Sequence, residues 1–189
     1  MNFVLASTSP RRLDLVRRLG IDPHRVVAPA IDEAPRPREL PRDYALRVAV
    51  EKAHAVDRAP DEVVLAGDTT VALGRRILPP ADTADIQRDL LGRLSGRRHR
   101  CLSAVCVIAP DGTVRTRLAD TIVAFKPLSM QEVDAYIDCG EGLGKAGGYA
   151  IQGRAEAFVR FIHGSHSGVM GLPLFETRAL LRASGLPLA

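Results

Sequence analysis

Phe3-Val4-Leu5-Ala6-Ser7-Thr8-Ser9-Pro10-Arg11-Arg12 carries the chain from an apolar, strand-like run directly into the start of a helix. Ser9 suits the N-cap, and Pro10 suits the first helical position, where its missing N–H costs nothing. Leu13, Val16 and Leu19 recur at helical spacing and Gly20 is a natural stop. This step from strand to helix begins an alternation that continues along the chain and argues for a layered α/β fold. The same stretch poses an electrostatic question. Arg11 and Arg12 fall in the first helical turn, where the dipole repels cations and the free N–H groups attract anions. A bound polyanion reconciles the two, and a solvated pair of arginines is equally compatible with this segment alone.

Moving outward, residues 23–41 are rich in proline and charge (Ile31-Asp32-Glu33-Ala34-Pro35-Arg36-Pro37-Arg38) and read as a long loop. A helix follows from about Arg42 to Val56, with Ala45, Val48, Ala49, Ala53 and Val56 as its apolar stripe. Lys52 falls on that stripe. Its ammonium either snorkels past the core edge or points into a cleft. Val63–Ala66 and Thr70–Leu73 read as a buried strand broken by Gly67-Asp68-Thr69. Asp82 or Thr83 caps a helix carrying Ile86, Leu90, Leu91 and Leu94, closed by Gly96. Residues 101–109 and 113–125 read as paired strands around Pro110-Asp111-Gly112. Ser129 and Glu132 form a capping box for a helix to Asp138. Six glycines between Gly140 and Gly153 demand tight turns or close approach. Residues 157–162 read as a strand, and a last helix follows Pro173. The hairpin makes the sheet mixed rather than all parallel.

The 189 residues suffice for one sizeable domain. With 46% hydrophobic and 25% charged residues, the composition is that of an ordinary globular protein. The net charge of +4 is modest and built on arginine, since the lysines are only Lys52, Lys126 and Lys145. That balance suits an anionic ligand but is too diffuse for DNA, and 4% aromatics without tryptophan offer no platform for single strands. No apolar run reaches the length of a membrane span, and no signal-peptide pattern opens the chain. Cys101 and Cys106, five apart in a strand, point to opposite faces and cannot pinch a metal. A reduced, cytoplasmic protein with no nucleic-acid or membrane partner is expected, and a homodimer is compatible with the chain.

Asp68 is the leading candidate for chemistry. A carboxylate in an apolar strand needs a metal, a lysine such as Lys52, or a proton to neutralise it. It reads as a general base for water or a ligand of a magnesium-type ion, against a plain turn-capping role beside Gly67. Glu33 is a second carboxylate, in a loop where most glutamates are simply solvated. Lys145 sits in Gly144-Lys145-Ala146-Gly147-Gly148, which resembles a phosphate cradle without being a Walker loop. Gln152 has an amide able to read a base edge, or to make an ordinary loop hydrogen bond. His163 and His166 lack a third ligand in register, and Ser165 and Ser167 have no base partner, so a zinc site and a serine hydrolase are both disfavoured. His99 is suited to orienting a loop.

Six blocks, in order over residues 3–181, carry a family resemblance: Leu5–Arg12, Glu51-Lys52-Ala53, Ala66-Gly67-Asp68-Thr69, Leu94-Ser95-Gly96 with His99, Lys145–Gly153, and Gly171-Leu172-Pro173. Together they resemble the Maf (septum-formation) proteins. The resemblance implies one domain over residues 1–189, with a mixed central sheet flanked by helices. It also implies an elongated, two-lobed, ITPase-like shape with a central cleft. The activity it implies is a metal-dependent nucleoside triphosphate pyrophosphatase that yields the monophosphate and pyrophosphate with magnesium or manganese. Asp68 would be the proton acceptor, with Lys52 supporting it, and Asp68 and Glu33 would face the metal. Arg11, Thr69 and Gln152 would tune base choice, and Ser7, Arg12 and Lys145 would contact phosphate or support the site. The residues around Asp68-Thr69 and Gln152 look like the branch acting on dTTP and UTP. The alternatives are a weakly catalytic nucleotide-binding regulator of cell division, or an enzyme for modified nucleotides such as 7-methyl-GTP. One position departs from the pattern: Pro80 stands where the family usually has a lysine, with Arg75 and Arg76 as the nearest cations.

Overall fold

The computed structural model describes residues 1–188. Strand β1 (Asn2–Ala6) leads into helix α1 (Pro10–Arg17), with Ser9 at the N-cap and Pro10 as the first helical residue. The Ser9 side chain makes no capping bond, and the helix ends two residues short of Leu19. Inside the proline-rich loop, β2 (Arg25–Val26) adds a short strand beside β1. No hydrophobic alternation marks so short a strand, so the sequence gives it no signature. Helix α2 (Pro41–His54) then crosses one face of the sheet.

Strand β3 (Glu62–Leu73) corrects one expectation, because it runs unbroken through Gly67-Asp68-Thr69. These three residues keep their pairing with Val105, Ala104 and Ser103 of β5 (Arg98–Ile108). Long-range pairing outweighs the local turn preference. A brief β4 (Arg76–Leu78) folds back on the end of β3, and α3 (Ala84–Leu94) is capped by Thr83, whose hydroxyl accepts from the Ile86 amide. β5 and β6 (Val114–Phe125) form the expected hairpin. Helix α4 (Met130–Asp138) carries the expected capping box. Residues 154–158 form a 3₁₀ turn that takes in Ala157 and Phe158 of the expected strand, so β7 (Val159–His163) starts two residues later than its sequence suggests. Two helices close the chain, α5 (His166–Met170) and α6 (Leu174–Ala183). The first has no counterpart in the sequence reading, being too short to show a helical period.

The described residues build one seven-stranded sheet in the order β2-β1-β3-β5-β6-β7, with β4 paired to β3. Pairings of β1 are parallel and the others antiparallel, so the sheet is mixed. Helices cover both faces. Val64, Ala66, Ala72, Leu102 and Ala104 meet α2 through Ala45, Ala49 and Ala53, and these small residues let helix and sheet approach closely. Val63, Leu65, Val71, Cys101 and Val105 face the larger core formed with α1, α3, α4 and α6. Cys101 and Cys106 lie in different clusters, on opposite faces as the strand period requires.

Candidate active site

Strand alternation places Asp68 and Thr70 on the face shared by Ala66 and Ala72, towards α2. Lys52, on the α2 face that packs there, donates to Asp68 Oδ1 at 3.1 Å and to Glu33 Oε2 at 2.7 Å. Thr70 Oγ1 donates to Asp68 Oδ2 at 2.8 Å. The side chains of Lys52 and Asp68 are each 9% exposed, and that of Glu33 is 49% exposed. One buried ammonium therefore bridges a buried carboxylate and a half-open one, which meets the requirement for a partner inside low dielectric. Tyr44 closes this end: its hydroxyl donates to the Glu33 carbonyl at 2.9 Å. Burial, with Asp68 and Glu33 nearby, pushes its phenol up to about 12.

Opposite the carboxylates stand three cations. Arg11 Nε donates to the Met170 carbonyl at 3.1 Å. Arg12 Nε donates to the Gly171 carbonyl at 2.9 Å, and its Nη1 to Ser7 Oγ at 3.1 Å. Both arginines are aimed by neutral oxygens, and among the described residues neither forms an ion pair. Burial lowers the pKa of each, although Asp68 and Glu33 oppose the shift at Arg12. Gly171 makes this possible: its φ of 139° lies where side chains are strained, and its carbonyl accepts from both Arg12 and Thr69 Oγ1 (3.2 Å).

The third cation, Lys145, sits on the glycine-rich segment. Residues 79–81 pair with this segment through Ala81 N to Lys145 O (3.1 Å), Gly144 N to Ala81 O (2.8 Å) and Gly147 N to Pro79 O (3.1 Å). Gly147 is required there, since at its φ of 71° a Cβ would lie 2.9 Å from Val71. Burial and the charge of Arg11 both lower the Lys145 pKa. The following residues are held by Gln87 Nε2 donating to Gly148 O (3.1 Å), by the Ala150 amide donating to Tyr136 Oη (3.0 Å), and by His99 Nε2 bonded to Tyr149 Oη (2.8 Å). They present Gln152, exposed, at the rim.

Between these groups lies a cleft of about 580 Å³, a size suited to a small-molecule ligand. Arg11, Arg12, Glu33, Asp68, Thr69, Lys145 and Gln152 all line it. Ser7 and Lys52 do not. Each stands behind a lining residue, Ser7 behind Arg12 and Lys52 behind the two carboxylates. Pro80 lines the cleft, whereas Arg75 and Arg76 are exposed outside it and put no charge where the family's lysine is expected. Sequence reasoning missed Thr70, Tyr44 and the carbonyls of Met170 and Gly171. Thr70 was recoverable, because it shares a strand face with Asp68 two residues away. The others are partners joined by tertiary contact, with no local signal.

The donor set bears on a metal. Among the described residues no group of three or more His, Cys, Asp or Glu side chains is arranged to hold one. Two carboxylates, Asp68 and Glu33, converge in a cleft also lined by Arg11, Arg12 and Lys145. That arrangement fits a hard divalent ion that shares its shell with water and substrate phosphate, rather than one caged by protein alone.

A family model described as Maf-like protein matches residues 2–184. A Sphingopyxis alaskensis protein named dTTP/UTP pyrophosphatase is 67% identical over 187 residues, covering 98% of both chains. Proteins of the same name from Novosphingobium aromaticivorans and Zymomonas mobilis are 60% and 51% identical. They cover 97% and 100% of this chain, and 92% and 94% of their own lengths.

Proposed function

The chain belongs to the Maf family, and on that premise we propose that it hydrolyses dTTP and UTP to the nucleoside monophosphate and pyrophosphate. The observation that carries this reading is the set of three cleft cations, Arg11, Arg12 and Lys145, held without carboxylate partners opposite a buried Asp68. Such charges are costly to crowd together, and a triphosphate relieves the cost. Relatives named for this activity at up to 67% identity support the same substrate class. No observation favours the cell-division regulator or the 7-methyl-GTP reading.

In the proposed mechanism Asp68 takes a proton from water as the water oxygen bonds to the α-phosphorus. The bond from that phosphorus to the bridging oxygen breaks, and pyrophosphate leaves with the electron pair. Lys52 and Thr70 fix the Asp68 carboxylate in place for this task, one on each oxygen. Arg11, Arg12 and Lys145 bind the polyphosphate and offset the charge that builds on the leaving oxygens. Asp68 and Glu33 would hold a divalent ion jointly with the phosphates, and that ion would supply Lewis-acid polarisation of a phosphoryl oxygen. Gln152, with Thr69 nearby, reads the base edge through paired donor and acceptor groups. We take residues 1–189 to act as a single two-lobed unit. Three free cysteines accord with a reducing cytoplasm. Among the described residues no helix is long and apolar enough to cross a membrane.

Asp68→Asn tests the assignment. It keeps the shape and the acceptor oxygen but removes the base, so turnover of dTTP should fall by about 10²–10⁴-fold while the far-UV spectrum is unchanged. Turnover within a factor of about two of wild type would remove Asp68 from the role of base.

A further inference from the structure

The loop that delivers Glu33 is poorly anchored by apolar contact. Residues 32–38 are exposed, and Leu40 is 39% exposed. The loop is attached to α2 by Tyr44 and Lys52 at Glu33 and by Arg36 Nη2 donating to Glu51 Oε1 at 3.0 Å. The side chain that makes the most attachments is Arg47. Arg47 Nε and Nη2 donate to Glu39 Oε1 and Oε2 at 2.6 and 2.8 Å, a two-pronged pair. Nη2 also reaches the carbonyl of Ala34, the neighbour of Glu33, at 3.2 Å. Nη1 donates to Glu51 Oε2 at 2.8 Å, tying the guanidinium back to its own helix.

The side chains of Arg47 and Glu39 are only 13% and 9% exposed, so this is an inward-facing pair rather than a solvated surface contact. The Arg47 guanidinium holds the Glu39 carboxyl down at about 2. Glu39 in turn accepts from the Arg36 amide at 2.9 Å, which closes the loop on itself. The guanidinium also lies 5.4 Å from the centre of the Tyr44 ring, whose hydroxyl holds the Glu33 carbonyl. Arg47 therefore holds the Ala34 carbonyl directly and flanks the ring of Tyr44, which holds the Glu33 carbonyl.

We infer that Arg47, clamped to Glu39, is the positioning residue that holds Glu33 against Lys52 at the mouth of the cleft. It does not itself line the cleft and acts through the loop and through Tyr44, a lining residue whose ring it flanks. The inference rests on reading Glu33 as a site carboxylate. An irregular segment of this length loses considerable backbone freedom on ordering, and the planar fork of an arginine offsets that loss at two carboxylate oxygens and a carbonyl at once. A lysine keeps the charge but cannot reproduce that geometry.

The test uses the full chain as wild type, Arg47→Lys, Glu39→Gln, Glu33→Gln and the Arg47→Lys/Glu33→Gln double variant. Two readouts are taken: amide hydrogen exchange, and dTTP hydrolysis with magnesium. Arg47→Lys and Glu39→Gln should speed exchange across residues 31–40 and leave β3 as protected as in wild type. Each should lower kcat/KM by about 10- to 100-fold, the scale of an ångström-level misplacement. In the Glu33→Gln background the loss from Arg47→Lys should shrink to about 2-fold or less, because both changes then remove the same group. Fully additive losses, or unchanged exchange over residues 31–40, would overturn the inference. If wild type hydrolyses no nucleotide, the pyrophosphatase reading fails, while the exchange data still decide the clamp.

Discussion

Lys52 shows how a single residue acquires its meaning from partners far away in the chain. On α2 it occupies an apolar stripe, where an unpaired ammonium would be expensive. Glu33 lies 19 residues before it and Asp68 16 after it, and together they make the position tenable. The sequence left Lys52 between snorkelling outward and entering a cleft; it points at the site carboxylates but remains behind them. Asp68 was legible because a carboxylate in an apolar strand is conspicuous, whereas Arg47 and Tyr44 sit among ordinary helical residues and gave no such contrast. His99 is a second buried group with a measurable consequence. Its Nε2 bonds Tyr149, its Nδ1 has no partner among the described residues, and burial lowers its pKa from 6.5 to about 4. Because the folded-state value is depressed, the unfolded chain binds the proton first as pH falls. The stabilisation is therefore complete above about pH 6.5 and is lost as pH falls towards 4. Denaturant titrations at pH 7 and pH 5 should show wild type losing about 2 kcal/mol more than His99→Gln. Equal losses would contradict the burial of a neutral ring.

At the scale of elements, legibility follows how local the determining interaction is. The capping box at Ser129 and Glu132 and the Pro110-Asp111-Gly112 turn are satisfied within a few residues and stand where the sequence placed them, and of the two candidate caps Asp82 and Thr83 it is Thr83 that serves. Strand β3 fails that locality test, since Gly67-Asp68-Thr69 is held extended only by β5 on its flank. The same holds for β2, β4 and α5, which are too short to show a period. Helix α5 matters most for the site, because the turn that ends it supplies the carbonyls of Met170 and Gly171 to Arg11 and Arg12. Gly171→Ala forces a side chain into a φ of 139° and should cost about 1–3 kcal/mol. It should also raise KM for dTTP, as relief of the strained φ shifts the carbonyl that Arg12 and Thr69 share. Chemical unfolding together with initial-rate kinetics checks both effects, and an unchanged KM would show that the turn does not aim the arginine.

For the molecule as a whole, net charge says little and charge placement says much. An excess of only four positive charges is spread over 189 residues, and many charges pair off at the surface, as Arg17 does with Asp22 and Arg93 with Asp89. Arg11, Arg12 and Lys145 instead converge on one cleft without such partners. They reach it from α1 and from the glycine-rich segment, and the carboxylates reach it from β3 and the proline-rich loop, so only the completed tertiary structure assembles the site. That assembly fits a polyanion cut beside a general base, and relatives up to 67% identical are named dTTP/UTP pyrophosphatase. The most direct test is mass spectrometry of the products after incubation with each nucleoside triphosphate and magnesium or manganese. The account predicts thymidine and uridine monophosphates plus pyrophosphate from dTTP and UTP, with the other nucleotides cut more slowly. Diphosphate plus phosphate, or no product from either pyrimidine substrate, would contradict it.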